Sequence, residues 1–348
     1  MSYRVEATDV LDARDAILPI WADNLPIHGP LDEKLRWFYC ENPHGRGTGF
    51  VLRSPGDLAP IGYAGLGRRT LWYRGEPLRA ALFADLAIDR AHRSGLPALA
   101  LVRAVRQHVL DEHDVGYGFP NAKAAPVYRR AMYRELGAMA RYVRVLRSGA
   151  YLSRHMPWPR LASSLGGLAD RVRGIVDRAQ SLRLRRHELV WLADVDARFD
   201  RLWEEAREHV PIACERTAAF LRWRFLSQPG EHYRVAALIE RISQRVRAYA
   251  IVRDAGGAVE IGDLFGASWT TLDILLEQLV PACHALGARA LAFRFLGVAE
   301  MTELLARHGF SRRAETRPVA LAVGSARHGD VTLSDPGAWY LTDLDEET

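Results

Sequence analysis

The chain has 348 residues, 49% of them hydrophobic, which supports full cores and, by length, two domains. No apolar run reaches the roughly 20 residues that a membrane-spanning helix needs. The opening MSYRVEATDV lacks the pattern of a signal peptide, and Cys40, Cys214 and Cys283 are far apart with no metal-ligand spacing, so buried thiols in a cytoplasmic protein are expected. Net charge is +5, yet only Lys34 and Lys123 of the 47 basic residues are lysines. That bias reads as genome composition, so no nucleic-acid partner is expected. A mild arginine excess suits a nucleotide cofactor or an acidic carrier protein.

In chain order, the alternation of apolar and polar residues predicts a strand at 3–8 and helices at 12–23 and 31–39. Strands follow at 49–53, 60–70, 71–75 and 79–89, with "YRGE" (73–76) as a hairpin turn. A helix at 96–111, a strand at 115–119, a helix at 122–136 and a strand at 140–146 complete the first half. Leu161, Leu165, Leu168, Val172, Ile175 and Val176 recur at helical spacing among arginines and predict an amphipathic linker helix. The second half opens on the strand-like "ELVWLADV" and continues with strands at 233–240, 246–253 and 258–265. A helix at 270–285, a strand at 289–295, a helix at 298–308 and a strand at 317–323 close it. The fold class is α/β, with mixed sheets and helices on both faces.

The chain repeats itself. "LRWFYCENP" (35–43) recurs as "LRWRFLSQP" (221–229), an offset of 186, and "DARDAILPIW" (12–21) recurs as "DARFDRLW" (196–203), an offset of 184. The repeat sets expected domains at 1–146 and 188–348, with the linker at 147–187.

"FADLAID" (83–89) leads into "RAHRSGLPALALVRAV" (90–105), a strand, an Arg- and Gly-bearing turn and a helix. Downstream, "GFPNAKAAPVYRRAMY" (118–133) places Asn121 seven residues before Tyr128. Together these resemble the GNAT acyltransferases, whose signature is an R-x-x-G-x-G/A turn after a strand and an Asn followed by a Tyr. The resemblance covers the first half almost end to end. It departs at the turn, where Leu96 holds a signature Gly position, Gly95 lies one residue early and Pro97 follows. It implies that Leu86, Ile88, Arg93, Ser94, Gly95, Leu96, Ala98, Leu99 and Asn121 hold acetyl-CoA or another acyl-CoA. A helix N-terminus with its free N–H groups suits the pyrophosphate. It also implies Tyr128 as the general acid that protonates the departing thiolate.

Asp85, in the middle of its strand, is the candidate base, with a salt-bridged structural role as the alternative; His92 is a weaker candidate. No metal is expected. In the second half "EIGDLFG" (260–266) matches "FADLAID", but no Arg follows, and Leu305 stands in the place of Tyr128. That half therefore reads as a lobe without donor chemistry, which either shapes an acceptor pocket or only stabilises its partner. The expected function is transfer of an acyl group to the amine of a small molecule, amino sugar or amino acid. Two alternatives stand beside it: a donor that is acyl carrier protein or aminoacyl-tRNA, and a non-catalytic binding protein.

Overall fold

A computed structural model describes residues 3–27, 29–93, 96–147 and 186–347. The first lobe runs β1 (Arg4–Thr8), α1 (Arg14–Asn24), α2 (Leu31–Leu35), β2 (Thr48–Arg53), β3 (Pro60–Tyr73), β4 (Glu76–Ile88), α3 (Leu96–Glu112), β5 (Val115–Gly118), α4 (Ala125–Arg130) and β6 (Arg134–Val145). The second runs β7 (His187–Leu192), α5 (Ala197–Ala206), β8 (Ile212–Cys214), α6 (Ala218–Leu221), β9 (Arg234–Glu240), β10 (Val246–Ala255) and β11 (Ala258–Gly266). It ends with α7 (Trp269–Ala285), β12 (Ala290–Gly297), α8 (Ala299–Arg307), β13 (Ser311–Val323) and β14 (Trp339–Leu341). The mixed α/β class expected from sequence holds.

Most differences from the sequence reading are local. The strands expected at 60–70 and 71–75 are one continuous β3, which turns into β4 through Arg74 and Gly75, both at positive φ (53° and 81°). Such a pair is the two-residue hairpin turn that matches strand twist. The helix expected at 122–136 is only the short α4, because the chain leaves it through Met132 at φ 66° and enters β6 at Arg134. The linker helix expected at 161–176 lies outside the described residues. Strands β8 and β14 have no counterpart in the sequence reading. Each is three residues long and too short to show a period.

The sheet order is β1-β2-β3-β4-β5-β13-β6-β12-β11-β10-β9-β7. The two lobes therefore exchange their last long strands. β13 of the second lobe lies between β5 and β6 of the first, and β6 lies between β13 and β12. Ala320 and Ala322 of β13 are buried in the first lobe's smaller core, beside Phe83, Val105 and Tyr128.

The sequence repeat meets itself at the junction. Each "LRW" segment continues its helix, α2 or α6, as one π-helical turn, Arg36–Cys40 and Arg222–Leu226. Trp37 and Trp223 stack at 5.2 Å between ring centroids. Each indole N–H donates to the other's backbone carbonyl, at 2.7 and 2.8 Å. The reciprocal pair satisfies two buried polar groups on each side.

Candidate active site

The site begins at a break in the sheet. Parallel pairing of β4 with β5 stops at Phe83↔Gly118, and the β3–β4 register slips between Tyr63 and Gly65. Asp85 sits in the slip at φ 52°, a left-handed conformation that Asp tolerates better than most residues. The residue is 3% exposed. Lys34 donates to one carboxylate oxygen at 2.5 Å and the Tyr39 hydroxyl to the other at 2.7 Å. Tyr39 reaches it from the π-helical turn, across β3 at Gly65, where a Cβ would collide with its ring. Burial alone would lower the Lys34 pKa, but the Asp85 and Glu347 carboxylates overcome that and raise it. Burial pushes the Tyr39 phenol well up, which keeps it a donor. Both oxygens of Asp85 are thus already committed to Lys34 and Tyr39.

A second carboxylate arrives from the far end of the chain. The backbone N–H of Asp85 donates to Glu347 at 2.8 Å. Burial and the Asp85 charge raise the Glu347 pKa to about 7, with Lys34 opposing. Tyr128 is buried between Phe83 and Tyr133, at 5.9 and 4.8 Å between centroids. Burial, with the charge of Glu347 adding to it, raises the phenol well above its ordinary value. The structure therefore gathers Asp85, Lys34, Tyr39, Tyr128 and Glu347 around one gap beside β4. Lys34, Tyr39 and Glu347 escaped the sequence reading. Nothing local in the acidic tail 343–347 announces burial, and only the fold encloses its Asp343, Asp345 and Glu346.

The path of that tail explains its burial. Thr342 and Asp345 form a capping box, and the Thr342 hydroxyl donates to Asp263 at 2.9 Å. Arg224 donates to the carbonyls of Asp343 (2.6 Å) and Leu344 (3.1 Å), and Arg317 pairs with Glu346. The tail thus spans both lobes.

Of the residues expected to hold a donor, the described ones sit on β4, in the turn after it, on the first turn of α3 and in the turn into α4. Leu86 and Ile88 on β4 pack with Ala98 and Leu99 of α3. Arg93 donates to the Ile88 carbonyl at 3.0 Å and to the Asn24 side chain at 2.7 Å, tying the turn to β4 and α1. Leu96 opens α3 and is exposed, and Pro97 beside it is buried. Ser94 and Gly95 lie outside the described residues. The Asn121 side-chain oxygen accepts from the N–H groups of Lys123 and Ala124, both at 3.0 Å, and so caps the turn into α4. His92 lies in the turn after Asp89, and its N–H donates to the Asp89 carbonyl.

The second lobe has the same break, filled. β11 pairs with β12 only as far as Ile261↔Phe293. Beyond it β14 pairs with β12, and the Tyr340 hydroxyl donates to the Leu264 carbonyl. Asp263, the match of Asp85, is fully buried and held by Arg216 (3.1 and 3.2 Å), Tyr249 (2.6 Å) and Thr342 (2.9 Å). Ser268 and Thr271 cap the N-terminus of α7 reciprocally. Leu305 is buried. No cluster of His, Cys, Asp and Glu suited to a metal occurs among the described residues, and no described helix is long and apolar enough to cross a membrane.

This architecture, a mixed sheet opened beside a bulged strand, is similar in fold to the GNAT acyltransferases. A probable N-acyltransferase from Enterococcus faecalis V583 superposes with a TM-score of 0.65 at 13% identity, over 94% of this chain and 74% of that one. A GCN5-related N-acetyltransferase from Anabaena variabilis gives 0.63 at 14%, over 91% and 72%. Another from Kribbella flavida gives 0.59 at 16%, over 93% and 72%. N-myristoyltransferase of Saccharomyces cerevisiae with bound myristoyl-CoA gives 0.53 at 10%, over 93% and 79%. No family model and no curated protein matches the sequence. At these identities the likeness is one of fold.

Proposed function

We propose that the chain is an N-acyltransferase that moves an acyl group from an acyl-CoA to the amine of a small molecule, with chemistry in the first lobe only. One observation carries this reading. Beside β4, where β5 pairing ends, stand a carboxylate of raised pKa and a buried phenol, while the matching gap in the second lobe is filled by β14.

The donor fits the first gap on chemical grounds. β4 beyond Phe83 has no β5 partner, so the backbone groups there other than the Asp85 N–H and the Ile88 carbonyl suit an extended, amide-bearing arm. Leu86, Ile88 and Leu99 supply apolar wall, and the start of α3 supplies N–H groups for phosphate. In the transfer a C–N bond forms and the C–S bond of the thioester breaks. Glu347 takes the proton that the amine loses. A raised pKa near neutrality suits that task. Tyr128, kept protonated by burial, gives its proton to the departing thiolate. Asp85 anchors Lys34 and Tyr39, and its N–H holds Glu347.

Thermal shift with acetyl-CoA, longer acyl-CoAs and free coenzyme A tests the donor. Binding at 100 times Kd adds about 2.7 kcal/mol of apparent stability. No shift with any of these, together with no acyl transfer to any amine, would return the chain to the non-catalytic reading. One feature favours acyl carrier protein as the donor. Val115 to Arg134 contains Lys123, Arg129, Arg130 and Arg134 and no carboxylate, and the exposed part of this run includes Tyr128's helix α4. Such a surface suits an acidic partner. Faster transfer from acyl carrier protein than from the matching acyl-CoA, slowed by R129E/R130E, would select that donor.

A further inference from the structure

A cleft of about 150 Å³ opens beside Lys34, between the α1–α2 connection and the segment after the second π-helical turn. Pro26, Ile27, Pro30 and Trp37 wall it from the first lobe, and Pro229 and Glu231 wall it from the second. Lys34 also lines it, and the Lys34 ammonium lies 2.5 Å from Asp85, so this one side chain joins cleft and site.

From this geometry we infer that the cleft admits the acceptor, and that the acceptor is a compact primary amine with an apolar body of about one ring. The inference rests on the N-acyltransferase reading and extends it to the substrate. Three features carry it. The volume is of the size that accommodates a benzene-like ring. The walls are prolines, an isoleucine and an indole, which suit an apolar body. The charges come one from each lobe. The ammonium of Lys34, held by Asp85, marks the wall of the cleft that leads to the site. On the second lobe's wall Glu231 spends one oxygen on Arg253 at 2.7 Å, and its other oxygen has no protein partner among the described residues. That oxygen is available to a polar substituent on the far side of the amine. The second lobe, without donor chemistry of its own, thus supplies part of the acceptor wall.

The test uses the full chain and calorimetric titration with benzylamine, cyclohexylamine and a lysine-containing pentapeptide. Ile27→Trp fills the cleft from the first lobe and Pro229→Trp fills it from the second. The expected result is measurable binding of the ring amines to wild type, at least tenfold weaker binding to each variant that folds, and an unchanged thermal shift with coenzyme A. Ring amines that fail to bind wild type, or that bind both variants within twofold of wild type, would overturn the assignment, and so would a pentapeptide that binds as tightly as benzylamine. Amine binding that is lost in the variants while wild type transfers no acyl group supports the cleft and sinks the N-acyltransferase reading instead.

Discussion

Tyr128 holds its proton because it is buried among Phe83 and Tyr133 with a carboxylate nearby. Tyr128→Phe keeps the ring and its packing, so stability should barely change while turnover falls by about 10²–10⁴-fold, the usual contribution of a general acid. Wild-type turnover in that variant would make the phenol structural. The proposed base Glu347 has to be deprotonated to act, and its folded pKa is raised to about 7. The rate at low substrate should therefore climb as pH rises through about 7 and level off above it. Glu347→Gln should lose most activity and also that ascending limb. Persistence of the limb in the Glu347→Gln variant would hand the base role to another group.

At the level of elements, the paired π-helical turns are where the repeat became structure. Trp223 is almost fully buried, stacked on Trp37, with the Arg69 guanidinium 5.1 Å from its ring. Trp223→Ala leaves a large cavity between the lobes, so urea denaturation should show a loss of about 3–5 kcal/mol. A loss under about 1 kcal/mol would mean that the junction closes over the gap.

For the whole molecule, the exchanged strands make each lobe a part of the other's sheet. Residues 1–146 produced alone should fail to give a cooperative unfolding transition, because β6 would lose both of its neighbours, β13 and β12. The buried acidic tail also sets a pH dependence. Burial raises Glu346 to about 8 and Glu347 to about 7, so the folded chain holds protons that the unfolded chain has released by about pH 5. Their contribution to stability is complete below the unfolded pKa and fades as pH rises to about 8. The buried His44, His113 and His308 have lowered pKa values and work the other way, adding stability as pH rises to about 6.5. Above that the raised carboxylates dominate, joined near the top of the range by the buried thiols acting in the same direction, so Tm should fall between about pH 6.5 and about pH 8.5. Glu346→Gln should flatten the fall, and an equal slope in that variant would refute the assignment.

Local pattern and repetition were enough to give the α/β class, most long strands and the recurrence of "LRW", and they drew attention to Asp85 by its place in a strand and to Tyr128 by a resemblance. Strand alternation and helical spacing are properties of neighbouring residues, and "LRW" is legible because it occurs twice. Only the tertiary structure decided the strand exchange, since β6 and β13 read alike whichever sheet they enter. The same holds for the partners of Asp85. Lys34 lies 51 residues away and Glu347 lies 262 residues away, and no local pattern encodes such a meeting. The missing turn of the second lobe is legible in the sequence, but the strand that fills its gap is not. β14 is too short to announce itself, and what places it is the gap left where β11 and β12 part.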